Sequence, residues 1–342
     1  MALDRLEGPA SLTTSQVAEL LDVHPSTVKR WCNDDELSSD KTEGGHRRIH
    51  LADALGLARE RGIPTFLDPF VPYEGHVWQA ITDAAESGSF DRVHALALGW
   101  LDRGRIERIG HLFHELGRHP RIPFELFADL GIRDFMVRIG ELWEGGQLRA
   151  GEEHITTGIL VDTLLRLRDE SPAIGTGVGE GSIRKAHLVA PPTGTDDRHS
   201  TLSSPAPAAV AVVGAMEGDR HALAPLCVRI VLERRGWRVL YLGADVPVED
   251  FSAIQRQHGA RLVCISFAPP NTGADMQRCV RILSEFHDRS TPCALVLGGS
   301  VRPLETTREA ATPFEELRIF HTLVDFGEVL DAGLAGAGLL SA

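Results

Sequence analysis

The 342-residue sequence predicts a multidomain chain: a small helical head, a helical middle block and a C-terminal doubly wound α/β sheet. Three observations predict it. Helix-start signals crowd residues 11–62. Apolar stripes at helical spacing run through 74–170, with few Pro or Gly runs. From 208 onward, short apolar runs alternate with amphipathic stretches, a βα pattern. The length fits two or three domains of roughly 100–200 residues. A content of 43% hydrophobic and 24% charged residues excludes a mainly disordered chain. No apolar run approaches the ~18–20 residues of a membrane span, and the N-terminus has no apolar signal core, so no membrane association and a cytoplasmic location are expected. The net charge of −13 excludes an overall basic surface but leaves room for one local basic patch. The five cysteines are scattered without a C-x-x-C pair, which excludes a zinc knuckle and a disulfide framework.

The expected divisions are a head at 1–73, a helical block at 74–171, a linker or long loop at 172–207 and the α/β domain at 208–342. The linker is rich in Ser, Pro, Gly, Thr and Asp, although 184–190 inside it has the composition of a strand.

In the head, a helix starts near Thr14, capped by Thr13 or Thr14, with Val17, Leu20 and Leu21 on one face. Asp22-Val23-His24 turns, and Pro25 begins a second helix. Val28 and Trp31 face the core, leaving Ser26, Thr27, Lys29 and Arg30 to face outward. Such a pair of helices places small hydroxyls and two cations in a major groove. Gly44-Gly45 followed by His46, Arg47 and Arg48 suits a β-turn whose tip touches phosphates. These motifs, in this order, resemble the winged helix-turn-helix of the MerR family over about residues 11–62, which implies binding to double-stranded promoter DNA. Residues 1–62 hold 8 Lys+Arg and 11 Asp+Glu, a net of −3, so the cations must be segregated onto one face.

In the last block, strands are expected at 208–213, 237–242, 262–266 and 293–297, with helices from Leu226 to Arg235 and from Val248. The ligand crevice of such a sheet lies at the carboxyl ends of its strands. His221, Ser266 and Gly298-Gly299 fall at those ends. One histidine cannot hold a free metal ion, but it can supply one axial bond to a metal held by a macrocycle. Asp219 is placed to orient its ring. Asp219-x-His221, then Ser266, then Gly298-Gly299 resembles the Rossmann-like cobalamin-binding domain shared by methionine synthase and related proteins. The resemblance implies that His221 is the lower cobalt ligand and that the displaced nucleotide tail runs past Ser266, Gly298 and Gly299. Ala224 stands where that family has Gly.

Residues 77–170 read as about four helices, with stripes Val77-Trp78-Ile81, Val93-Leu96-Leu98, Ile109-Leu112-Phe113 and Leu160-Leu164-Leu165 as bundle core. Trp143, separated by nine residues from Glu153-His154, sits at a helix end before Gly145-Gly146. This segment resembles the four-helix bundle of the CarH and LitR group of B12 photoreceptor regulators, and the domain order of the whole chain is similar to theirs. The resemblance implies that Trp143, Glu153 and His154 cover the upper 5′-deoxyadenosyl group of adenosylcobalamin. In that group a histidine after the Trp can bind cobalt once light has removed the upper group. Glu144 occupies that position here, leaving water or another side chain for the upper face.

The expected function is therefore a light-responsive transcriptional regulator. Its dark homo-oligomer, a dimer or tetramer, would bind DNA, and light would change the assembly and release it. Two alternatives stand beside it: a regulator sensing cobalamin or another tetrapyrrole without that photochemistry, and a corrinoid carrier for methyl transfer. No Walker loop, nucleophile turn or H-E-x-x-H motif occurs, so no enzyme is expected.

Overall fold

The computed structural model describes residues 10–170, 208–311 and 313–332. The expected linker, with the strand-like 184–190, lies outside the described residues. The described residues form two compact units: 10–170 with 221–227 and 320–332, and 208–220 with 228–311 and 313–319.

The first unit begins with the head. Thr13 caps α1 (Thr14–Leu20): Gln16 N donates to Thr13 Oγ1 at 3.2 Å and Thr13 N donates to Gln16 Oε1 at 2.9 Å. Asp22 turns the chain at φ +49°, and His24 caps α2 (Pro25–Asn33), with Pro25 at its first position. Val17, Leu20, Val28 and Trp31 are buried between the helices. β1 (Ser11–Leu12), β2 (Asp40–Lys41) and β3 (Arg47–His50) form an antiparallel sheet with β3 in the middle. The β2–β3 turn is closed by Gly45 N donating to Thr42 O at 2.8 Å, with Gly45 at φ +78°. α3 (Leu51–Arg61) follows and ends at a left-handed Gly62.

The middle block holds five helical segments, not four. α4 (Glu74–Ser87), α5 (Asp91–Asp102) and α6 (Ile106–Arg118) are separated by left-handed turns at Gly88 and Gly104. A short α7 (Phe124–Leu126) then runs through a π-helical stretch, Phe127–Arg133, into α8 (Asp134–Glu144). α9 (Ala150–Glu170) completes the block. The helix end expected at Trp143 is present, but no apolar stripe marked the segment leading to it because the π-stretch breaks the 3.6-residue repeat. Trp100, Phe113, Phe127 and Phe135 are fully buried in the core. α6 and α9 meet closely at Gly117, where an added Cβ would lie 2.3 Å from Leu167 Cδ1. Leu160 and Leu164 are in the core as expected, whereas Leu165 is exposed.

The C-terminal sheet has the order β5-β4-β6-β7-β8. Its strands are β4 (Val210–Met216), β5 (Arg238–Val246), β6 (Leu262–Phe267), β7 (Ala294–Gly299) and β8 (Glu316–Phe320). β4 pairs in parallel with β5 and β6, and β6 with β7. The crossovers are α10 (Leu223–Arg234), α11 (Val248–His258), α12 (Gly273–Phe286) and the short α13 (Thr307–Ala310), and α14 (Leu323–Asp331) follows β8. In this 2-1-3-4-5 order, the connections leave in opposite directions from β4 and β6, so the ligand crevice lies beyond their carboxyl ends. Val212, Val263, Ile265, Leu295 and Leu297 form the buried strand core. The first four strands match the sequence expectation; β8 and α14 were not anticipated.

Candidate functional site

At the sheet's switch point the loop after β4 is locked from both sides. Asp219 is fully buried, and its Oδ2 accepts from Ala268 N at 2.7 Å, just past the end of β6. On the other side, Asp245 N donates to Asp219 O at 2.8 Å. The Asp245 carboxylate returns the tie by accepting from Gly218 N at 2.8 Å. Asp245 adopts φ +58°, a left-handed position that Asp tolerates better than most residues. Asp219 therefore fastens the loop to the sheet, a task beyond the ring-orienting role that its spacing implied. Asp245 is the residue that sequence reasoning left without a role. Its only signal was its place at the end of a strand.

His221 sits two residues beyond this fastening and is exposed. Ser266 is buried at the end of β6, in register with Ala215 on one side and Gly298 on the other. These three residues make a row of small side chains across the strand ends. Gly299 pairs with Phe267 and has φ +116°. A Cβ there would lie 2.1 Å from Phe267 O, so glycine is required by the neighbouring strand's own backbone. Glycine at 299 is thus demanded by the backbone itself, independently of any ligand beside it. Among the described residues no group of three or more His, Cys, Asp or Glu side chains gathers to hold a free metal ion. A single exposed imidazole, two residues past a fastened loop, fits a metal already held by a macrocycle rather than a free ion.

In the helical unit, Trp143 lies in the last turn of α8 and is half exposed. Gly146 at φ +68° closes the turn, its N donating to Trp143 O at 2.9 Å. Glu153 and His154 lie in the first turns of α9, beyond a turn of residues 145–149. Thr157 Oγ1 donates to Glu153 Oε1 at 2.8 Å, and His154 Nε2 lies 3.3 Å from Glu153 Oε2. The structure thus places all three at the same end of the α8–α9 hairpin. Glu144 ends α8 and is exposed.

In the head, Ser26, Lys29 and Arg30 are exposed on α2, and Thr27 is half-buried. His46 and Arg48 are exposed on the hairpin, whereas Arg47 donates from Nη2 to Asn33 Oδ1 and ties the hairpin to the end of α2. Thr14, Lys29, Asn33, Gly45, His46 and Arg47 line a polar hollow of about 330 Å³. Glu36, one of the acids between helix and hairpin, is paired with Arg61, whose guanidinium also lies 4.6 Å from the Trp31 ring centre. That pairing neutralises Glu36 locally with a cation of the same head, so the head's net charge is unchanged.

Residues 11–53 match the family described as a helix-turn-helix domain, and residues 209–313 match the B12 binding domain family. The chain carries both domains. No curated protein matches it. Among solved structures, a cobalamin-binding protein of Desulfitobacterium hafniense DCB-2 is similar, with 16% identity and a TM-score of 0.31, over 75% of this chain and 96% of that one. The monomethylamine corrinoid protein of Methanosarcina barkeri is similar with 13% identity and a TM-score of 0.46, over 68% of this chain and 93% of that one. The methanol:cobalamin methyltransferase complex MtaBC of the same organism shares 15% identity and a TM-score of 0.32, over 80% of this chain and 84% of that one.

The B12 binding domain takes in the whole of the Asp219–Asp245–Ala268 fastening, Ser266 and both strand-end glycines. The helix-turn-helix domain takes in α1, α2 and the hairpin with every cation assigned to DNA. No helix among the described residues is long and apolar enough to cross a membrane.

Proposed function

We propose that this protein is a light-responsive transcriptional regulator that uses adenosylcobalamin as its chromophore. The observation that carries the reading is His221, an exposed imidazole fixed at the switch point of a B12 binding domain, in a chain that also bears a helix-turn-helix domain. His221 would be the protein's ligand to cobalt, with the loop before it held by Asp219 and Asp245. Ser266, Gly298 and Gly299 would receive the nucleotide tail. When bound, adenosylcobalamin supplies light absorption and a cobalt–carbon bond that light can break. Trp143 would cover the upper group and exclude water, while Glu153 and His154 would hydrogen-bond its ribose hydroxyls.

The protein's MerR-like winged head binds double-stranded DNA through Ser26, Thr27, Lys29 and Arg30 in the groove and His46, Arg47 and Arg48 on phosphates. In the dark, a homo-oligomer (dimer or tetramer) pairs the heads on promoter DNA. Loss of the upper contacts to Trp143, Glu153 and His154 changes the assembly and releases DNA. Such coupling requires that the two cofactor states differ in affinity for the two assemblies. Sedimentation and gel-shift with adenosylcobalamin, in dark and in light, test this. The expected result is a dark oligomer that shifts DNA and a smaller illuminated species that does not. His221→Ala should weaken cobalamin binding and alter its absorption spectrum. Identical assembly and DNA binding in both conditions would overturn the reading.

A second reading is favoured by Glu144 and Ala224: a regulator that senses cobalamin or another tetrapyrrole without useful photochemistry. DNA binding that follows cofactor addition but ignores light would select it.

A further inference from the structure

Asp129 lies in the π-helical stretch and only 5% of its surface is exposed. Both of its oxygens meet the first turn of α14. Leu323 N donates to Oδ2 at 2.8 Å and to Oδ1 at 3.0 Å, and Val324 N donates to Oδ2 at 3.0 Å. A third donor of that turn, Asp325 N, donates to Thr322 Oγ1 at 3.1 Å. The orphan N–H groups at the helix start are thus satisfied by one local hydroxyl and one carboxylate 194 residues away in sequence.

Arg133 completes the arrangement. Its Nη1 donates to Asp129 Oδ1 at 3.3 Å and to His321 O at 3.0 Å. Phe326, one turn into α14, is buried and tilted against Phe320 at 5.4 Å. The wider π-helical turn accounts for the aim of these groups. It lets Asp129 reach α14 while Gly131 O turns inward to accept from His94 Nε2 at 3.0 Å. Burial pushes the Asp129 carboxyl above its usual range, opposed by the N–H groups of Leu323 and Val324 and by Arg133. A buried carboxylate is costly unless it is fully paired, and here both oxygens are.

We propose that Asp129 and Arg133 clamp α14 to the helical unit, so that α14 moves with the bundle while the strand before it, β8, belongs to the sheet. The division of the chain between Ile319 and Phe320, the last residue of β8, agrees with this up to that one residue. Residues Phe320–Thr322 are then a joint through which a change in the B12 binding domain reaches the helices that carry the DNA head. The clamp stands on geometry alone; the transmitting role of the joint rests on the cobalamin-regulator reading. Asp129 is a positioning residue in this scheme.

Hydrogen exchange on the full chain tests the clamp. Asp129→Ala should lower protection of the Leu323 and Val324 amides about 10- to 100-fold. Asp129→Asn, which keeps one acceptor oxygen, should lower it less and serves if the alanine variant fails to fold. Amides in β6 and α6 should keep their protection in both. Protection of Leu323 and Val324 within twofold of wild type in both variants would overturn the clamp.

Gel-shift with and without adenosylcobalamin tests the joint. Asp129→Ala should take up cobalamin like wild type by absorbance, while the ratio of DNA affinities with and without cofactor falls several-fold toward one. An unchanged ratio overturns the joint. A wild-type ratio of one overturns the regulator reading and the joint together, and leaves the clamp to be decided by exchange.

Discussion

The head and the strand ends of the sheet are both candidate sites, yet they are built in opposite ways. The residues proposed to face DNA span Ser26 to Arg48, a stretch of consecutive local elements: cap, helix, turn and hairpin. The strand-end site of the sheet draws on Asp219, Asp245, Ser266 and Gly299, which lie far apart in sequence and meet only through parallel strand pairing and loop hydrogen bonds. Local sites follow from caps, turn residues and periodicity. A site made by register depends on contacts between distant segments, and single-residue spacing reports them poorly.

The sharpest break in the comparison comes from glycine. Gly299 and Gly45 both have positive φ, +116° and +78°. Around Gly299 a Cβ meets the Phe267 backbone at 2.1 Å, whereas around Gly45 nothing lies within 4 Å. Gly299→Ala should therefore destabilise the B12 binding domain by on the order of 3 kcal/mol or more, combining strain with a collision against backbone. Gly45→Ala should cost about 1 kcal/mol, the left-handed penalty alone. Thermal unfolding of the two variants, with DNA binding as the check on the head, measures the difference. Equal costs would remove the contrast between a turn tip and a packed strand end.

A smaller effect is expected in the head itself. Lys29→Ala and Arg48→Ala should each weaken DNA binding across sequences and reduce the slope of log affinity against log salt by about 1. Arg47→Ala should do the same and also lower head stability, because Arg47 holds Asn33. Binding titrations at several salt concentrations separate these outcomes. An unchanged slope in Lys29→Ala would remove Lys29 from the phosphate contacts.

These contrasts show what could be read from the sequence. The head was legible almost to the residue: the cap narrowed to Thr13 or Thr14, of which Thr13 serves, Pro25 as helix start, Val28 and Trp31 as core. In the sheet, four strands were legible because apolar runs between glycines mark them, but β8 was not. Its sequence, Glu316–Phe320, mixes charge with apolar residues and has an edge strand's partial burial. The loop fastening by Asp219 and Asp245 was illegible because each acid bonds backbone that lies far along the chain. The same holds for Asp129 and α14. In the bundle, the helix end at Trp143 was legible from the glycines after it, but the start of that segment was not, because its π-helical turn, with Gly131 packed against Phe90 and Phe127, shifts the apolar phase.

That shift also sets the smallest of the expected effects. His94 stacks between Phe90 and Phe135, with ring centres at 6.5 and 5.5 Å. Its Nε2–H donates to Gly131 O, so Nδ1 is the bare nitrogen, and it is buried without a hydrogen-bond partner. Protonating Nδ1 would bury an N–H with no acceptor. Burial accordingly holds the His94 pKa below its usual value, with Arg138 adding to the shift and Gly131 O, Asp134 and Asp91 opposing it. The unfolded chain therefore takes up a proton below about pH 6.5 that the folded chain refuses. The stability tied to neutral His94 is fully present above that pH and is lost as pH falls toward the depressed folded value. His119 and His287 are shifted the same way by burial, so a shared slope should remain without His94. His94→Gln keeps a donor for Gly131 O and does not titrate. Its urea midpoint should fall less between pH 7.5 and 5.5 than that of wild type, while the two are closest at the acid end. Parallel curves over that range would show that the bundle's acid sensitivity lies elsewhere than at the π-helical turn.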